Sequence, residues 1–597
     1  MDRNVVTATI LIALIMVVWL TWLAPPIQPP PPPGGTDSTA VVVEPEEFEE
    51  TPEPIGQEGL RSVDELASDS TIAGASVGTE RTIRISNDLY TAVLSTKGGT
   101  IVSFELSEFR DAVDSTLVQL VDPEQDGALG MVFTTPSNRV YDTRSFYFDA
   151  DVSRDEITVG DAAVTVTMKT AIGSGSISKI YTFKPDSYDV GFDLAMEGTN
   201  SFLTPAGYEL IWYGAIPFTE KDRDNEIRST GAFAKSGGEV EFAKVLDESY
   251  DENSLRGDVD WVAVKGKYFA AVMLPNQAGR GAELIAERVG ELSDPDVRLA
   301  YIASLAMPPP VESDGFRLYL GPMELSRIRQ YDADLYDMVD FGWSFFATIT
   351  RPLAKYFFAP VFYFLATFIP NYGLVIIIFS ILVKLLVYPL TKSSFTSMAK
   401  MRQLQPRMEA IKAKYPDSPP KQQEAMMKMY KETGVNPIGG CLPMLLQYPI
   451  IIALWQFLPQ AIEIRQQGFL WAHDLSAPDV ILSLPFTIPL YGDFVSGFTV
   501  LMGLSMVVQM RLQATPSSNA QAKMFMYVFP VMIFVIFNRL AAGLNLYYLC
   551  YNVLSAAQQK WINRNLEAHP EEMAPAKTAK KGSGGKKRGR SSGRKKR

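Results

Sequence analysis

Five apolar runs, at roughly 371–391, 439–460, 494–511, 522–538 and 543–562, recur through the chain beyond residue 370. Each is close to the ~20 residues that a helix needs to cross a hydrocarbon core. Lipid offers the backbone no hydrogen bonds, so such runs predict a polytopic α-helical membrane protein. A sixth run, Val5–Leu23, follows Arg3 and stops at Pro25-Pro26. It is long for a signal sequence and no A-x-A site follows it, so residues 1–23 are expected to be an uncleaved anchor. The last two runs are separated only by Asn538–Ala542 and predict a tight helical hairpin. Residues 480–492 are also apolar, but Pro485 and Pro489 break them. They are expected to be interfacial or to begin the fourth span.

Charge orients these spans. The loop 392–438 carries 9 Lys/Arg against 4 acids, and residues 577–597 carry 11 Lys/Arg and no acid. The loop 461–493 has a single Arg, Arg465. Short basic loops stay in the cytoplasm. With six spans, 392–438, 512–521, the tail and the N-terminus are then cytoplasmic, and residues 24–340 lie outside.

That outer region holds 55 Asp/Glu and 25 Lys/Arg. Residues 24–79 are rich in Pro, Glu, Gly, Ser and Thr and predict a disordered linker. From 80 to 340 the pattern alternates, as in Arg81–Ser86 and Ala163–Lys169, with Gly98-Gly99 and Gly173 as punctuation. Short alternating segments between turn signals predict a large all-β sandwich. Cys441, Cys550, His473 and His569 all lie outside it. A disulfide-stapled domain is excluded. A histidine-based acid–base site or a zinc site of the usual ligands is equally excluded there. No catalytic residue, cofactor site or metal site is expected in the chain. Residues 341–370, with Phe341, Trp343, Phe345 and Phe346 before Arg351 and Lys355, predict an amphipathic helix at the outer interface.

Polar residues inside the spans are the candidate functional groups of the membrane core, 371–565. Lys384 lies in the run Ile376–Pro389, where a charge at the bilayer centre costs about 2.5–3.5 kcal/mol. It sits about seven residues from the cytoplasmic end, roughly 10 Å at 1.5 Å per residue, so it either snorkels or serves a purpose. Ser380 and Lys384 are spaced i, i+4 on one helix face. Ser505 and Gln509 repeat that spacing in the fourth span, Asn545, Tyr548 and Asn552 form a stripe in the sixth, and Gln447 lies in the third. These residues either glue helices together or line a wet cavity. Glue suits Ser, Asn and Gln. Lys384 finds no acid within the spans, so a water-filled groove open to the cytoplasm explains it better, with its charge attracting acidic stretches of a client chain.

Residues 393–433 predict two charged helices split at Tyr415–Pro420, with Met398, Met401 and Met408 on one arm and Met426, Met427 and Met429 on the other. The methionines form either the seam between the arms or an adaptable docking face. The tail, 566–597, is expected to be disordered. Its basic clusters suit ribosomal RNA, anionic lipid or simple enforcement of topology.

Three segments carry a family resemblance. Tyr388–Arg407 (YPLTKSSFTSMAKMRQLQPR), Val435–Ile450 (VNPIGGCLPMLLQYPI) and Ala542–Tyr548 (AGLNLYY) resemble, in order, the start of the cytoplasmic hairpin, the start of the third span and the start of the last span of YidC insertases. By size, position and strand pattern, the outer region resembles the periplasmic β-supersandwich of Gram-negative members, which is similar to sugar mutarotases. The resemblance implies a chaperone and insertase of the inner membrane, not an enzyme. Nascent membrane proteins would be its clients, and it would act alone or beside the Sec translocon. The ribosome and the signal-recognition-particle pathway would feed it. Lys384 falls where members usually carry a groove arginine; Lys keeps the charge and loses the planar fork. Ser380 falls where Thr is usual, and Tyr548 matches a client-contacting tyrosine. A secondary transporter is the first rival, but no second half repeats the first. A membrane-anchored mutarotase-like enzyme is the second, and the missing histidines weigh against it.

Overall fold

The structure, a computed structural model, describes residues 72–568 except 247, 293, 295, 311–312, 332–333, 340–349, 417, 434–441 and 514–519. The expected N-terminal anchor, most of the linker, the first part of the interfacial helix and nearly all of the tail lie outside the described residues. Two compact units emerge. One contains 72–363 together with 453–467; the other contains 364–452 and 468–568.

The first unit is the expected β domain. Its alternating segments become strands that bury every second side chain, as in Thr82–Ser86, Gly175–Phe183 and Asp189–Glu197. One sheet has five strands and a second has fourteen. Among the described residues, pairing is antiparallel except where Thr82–Ser86 runs parallel to Glu156–Thr158. Gly98 and Gly99 turn the chain with φ of 81° and 52°, a region that favours glycine. Trp212, Trp261, Tyr181 and Tyr301 fill the core. The last residues of the expected linker also pack here: Ile72 and Ala75 are buried, and the Tyr147 amide donates to the Ala75 carbonyl.

Lys179 is a charge inside that core. It shares the inward face of its strand with Ile177 and Tyr181. Its ammonium donates to Gly98 O (2.7 Å) and Thr143 Oγ1 (3.1 Å) and lies 5.2 Å from the Phe148 ring centre. Burial pushes its pKa down to about 7 despite the nearby Asp142 carboxylate.

Residues 453–467 complete the unit. Arg465 donates from Nε to Glu220 (2.6 Å) and from a second nitrogen to Arg110 O (2.7 Å) and Thr219 O (3.2 Å). Tyr268 donates to Pro459 O, and Tyr363 donates to Glu463. Burial raises Glu463 to about 7.

The helices are α1 (Ala359–Phe368), α2 (Tyr372–Gln403), α3 (Gln405–Lys414), α4 (Pro419–Thr433), α5 (Leu442–Gln460), α6 (Gly497–Gln513), α7 (Ala520–Phe537) and α8 (Ala542–Ala568). A π-helical turn, Ala354–Phe358, precedes α1. Among the described residues, one stretch, Tyr372–Pro389, is long and apolar enough to cross a membrane by length and composition; Pro449–Gln460 and Gly497–Leu512 are shorter apolar stretches.

Two expectations need correction. Of the two readings expected for 480–492, the start of the fourth span is overturned: Val480–Ile488 and Gly492–Ser496 form a β-hairpin, and α6 starts only at Gly497. Prolines at 485 and 489 deny a helix its donors, while the β-branched residues between them suit a strand. Second, the first arm of the cytoplasmic hairpin is not separate from the preceding span. The α2 helix runs through Pro389 to Gln403 and breaks at Leu404; Pro406 has no amide to carry the ladder on, and it sits instead in the first turn of α3, where none is needed. The α3 helix ends at Lys414 and α4 begins at Pro419, so the arms part within the stretch expected, Tyr415–Pro420. Leu404 and Met429 pack with Met401 and Met408, so these methionines form the seam between the arms; Met427 is exposed.

Candidate functional site in the helical core

The α8 helix carries a polar stripe longer than its first three members. Asn545, Asn552, Ser555 and Gln559 are all buried on it. The spacing of 7, 3 and 4 residues keeps them on one face. Upstream, the stripe bonds to α6: Asn545 Nδ2 donates to Thr499 Oγ1 at 2.8 Å, and Asn552 Nδ2 to Ser505 Oγ at 3.1 Å. Downstream, it bonds to α2: Gln559 Nε2 donates to Phe395 O at 3.3 Å, and Ser555 receives Lys384. In an apolar medium such interhelical bonds fix register, each contributing modestly.

Lys384 is 6% exposed. Its Nζ donates to Ser555 Oγ at 2.6 Å and lies 4.4 Å from the Tyr551 ring centre and 5.0 Å from that of Phe395. The ring faces are negative, so the two aromatics and the hydroxyl form a cage for an ammonium. None of these partners is a carboxylate. Beside the cage lies an open cavity of about 300 Å³ lined by Lys384, Leu385, Tyr388, Leu554, Gln558 and Trp561. Both polar atoms of the Gln558 amide are buried without a hydrogen-bond partner among the described residues. The arrangement can hold a cation at the edge of a largely apolar cleft, with the buried Gln558 amide behind its wall.

The other expected residues distribute as follows. Ser380, one turn from Lys384, is fully buried, and its hydroxyl bonds back to Ile376 O at 2.7 Å. Tyr548 is buried edge-on to Phe537 (ring centres 5.0 Å) and Tyr547 (5.6 Å), and its hydroxyl has no partner among the described residues. Ser505 also bonds Met502 O at 2.6 Å. Gln509 is half-buried one turn further along α6. Gln447 lies in α5, and its side chain is outside the described residues. The structure thus joins Ser505 to Asn552 and brings Lys384 to α8. It adds Ser555, Tyr551 and Phe395, which the sequence reading missed. Ser555 and Gln559 extend the Asn545–Asn552 stripe at helical spacing, and that periodicity was the signal available. Nothing local marks Phe395.

Two family descriptions match the chain: "60Kd inner membrane protein" over residues 364–569, and "YidC periplasmic domain" over residues 82–356. Relatives named membrane protein insertase YidC include that of Chlorobium phaeovibrioides, 39% identical over 98% of this chain and 100% of its own length. Another, from Chlorobaculum tepidum, is 37% identical over 98% and 99%. Among solved structures, an active YidC insertase crystal structure covers 82% of this chain and 95% of its own at 19% identity, TM-score 0.33. A putative aldose 1-epimerase from Escherichia coli K12 covers 40% and 99% at 11% identity, TM-score 0.26. The full-length sequence relatives, together with the two matched regions, show that this chain belongs to the YidC family of inner membrane protein insertases.

Proposed function

We propose that the chain inserts, folds and assembles membrane proteins through the cleft beside Lys384. The observation that carries this reading is the caged ammonium on the wall of an open cavity, with no carboxylate among its partners. In the proposed topology the protein crosses the inner membrane six times, with both termini cytoplasmic and the β domain periplasmic. The charge of the loops supports that orientation.

In this scheme a client's acidic, hydrophilic flank enters the cleft and meets Lys384. Ser380 and Tyr548, both buried, support the cleft wall from within the helix packing. Ser505, Asn545 and Asn552 hold α6 and α8 together behind it, Gln509 extends that stripe, and Gln447 contributes from α5. The client's apolar segment then partitions into lipid, driven by its hydrophobicity and by the membrane potential. No covalent step is needed. The nascent chain arrives from the ribosome, directly or by the signal-recognition-particle pathway, and the Sec translocon is a partner for longer clients. The basic tail meets ribosomal RNA or anionic lipid.

The test is insertion of a single-span client with an acidic flank into vesicles containing only this protein. Lys384→Ala is expected to abolish insertion of that client and Lys384→Arg to retain it. Equal insertion by wild type and Lys384→Ala would refute the role of the charge, and no insertion by wild type would refute autonomous action.

A further inference from the structure

The β-hairpin that replaces the start of the fourth span presents an unusual surface. Its first strand, Val480–Ile488, exposes nearly every side chain on both faces, with Leu482 at 57% and Phe486 at 61%. Leu490 in the turn is also exposed. Asp493 is the single charged residue between 480 and 496.

The base of the hairpin is held firmly. Asp479 is buried and accepts from Trp471 Nε1 (2.7 Å), from the Phe498 amide at the start of α6 (2.7 Å) and from Ser496. Asn538, fully buried between α7 and α8, accepts from the Ser496 amide (2.9 Å) and donates to Phe494 O (2.7 Å) and Tyr491 O (3.1 Å). The second strand is therefore fastened to the helices, and the first strand is displayed by it.

We propose that this hairpin is a lipid-interface anchor whose first strand lies among the headgroups and upper acyl chains of the outer leaflet. The proposal rests on the membrane-spanning reading of α6 and α7. Its occupant follows from continuity: the exposed stripe Leu501, Leu504 and Val508 on α6 leads directly from the hairpin, and it is a face that a spanning helix gives to lipid. Trp471, part-exposed with its indole N–H fixed on Asp479, sits at the same end, as an aromatic belt residue does. Among the described residues the strand has an unpaired edge, which hydrocarbon would leave unsatisfied and headgroups and water satisfy, and this sets the depth. Pro485 has no amide to donate within this strand, and a proline disfavours addition of a further strand, which argues for lipid over a client peptide.

The experiment uses the full chain with Cys441 and Cys550 replaced by Ser and one new cysteine, Leu482→Cys or Phe486→Cys, carrying an environment-sensitive fluorophore. Asp493→Cys is the reference. The protein is placed in phosphatidylethanolamine–phosphatidylglycerol vesicles containing lipids spin-labelled near the headgroup or deep in the chain, with iodide as the aqueous quencher. The expected result is strong quenching of positions 482 and 486 by the shallow label and several-fold weaker iodide quenching than at 493. Equal iodide quenching at all three positions, with none from lipid, would overturn the proposal. Loss of lipid quenching when a client is added would also overturn it, by showing that the client is the occupant. Client insertion is measured in the same vesicles: failure there with lipid quenching intact counts against the insertase mechanism and leaves the hairpin anchor standing.

Discussion

Replacing Arg465 by Met should destabilise the β domain, although Arg465 lies more than a hundred residues beyond the domain's last strand, Ser313–Pro322. Its side chain is 2% exposed and that of its partner Glu220 is 7% exposed. The substitution leaves the Glu220 carboxylate and the Arg110 and Thr219 carbonyls without the guanidinium. Breaking a buried pair by removing one partner costs about 3–5 kcal/mol. At roughly 2–4 °C per kcal/mol for a domain of this size, the midpoint should fall by about 6–20 °C. Thermal proteolysis of the full chain in detergent, scoring fragments from residues 82–322, reads that midpoint. The double variant Arg465→Met with Glu220→Met removes both charges and should recover part of the loss, since no uncompensated carboxylate remains. An unchanged midpoint in Arg465→Met, or a double variant no better than the single, would refute the buried pair.

Three further outcomes can be checked. Lys179 titrates at about 7 in the folded domain against 10.5 for the ordinary side chain, so unfolding takes up a proton between those values. Its contribution to stability should therefore rise as pH increases from 7 towards 10, and Lys179→Met should flatten that rise in a series of midpoints. Gly373→Ala would place a Cβ 2.1 Å from the Phe469 ring; folded yield by size-exclusion should drop sharply, and a normal yield would disprove the contact. Asn552→Leu removes the bond to Ser505 and should lower core stability by about 0.6–1.7 kcal/mol, measured by unfolding in mixed micelles.

The membrane character, the large β domain and the place of most helices were legible in the sequence, because hydropathy runs and period-2 alternation are local signals. Asn545, Tyr548 and Asn552 could be set on one face from spacing alone, and Ser380 and Lys384 likewise. What surrounds Lys384 could not be read. Ser555 and Tyr551 come from a helix more than 160 residues away, and Phe395 is three turns along its own, so the cage exists only once α2 packs on α8. The same limit hid Lys179, an inward-facing charge whose acceptors Gly98 and Thr143 lie on other segments. It also hid the pairing of Arg465 with Glu220 and the hairpin at 480–496. An apolar stretch broken by prolines fits an interfacial loop or a frayed span equally well. Only its fastening to Asp479 and Asn538, made by residues at its base and on a distant helix turn, makes it a strand pair. The sequence by itself determined which segments are apolar and where the basic residues cluster between them. Tertiary structure decided which polar groups meet, because hydrogen-bond partners are chosen by packing across the chain, not by neighbours along it.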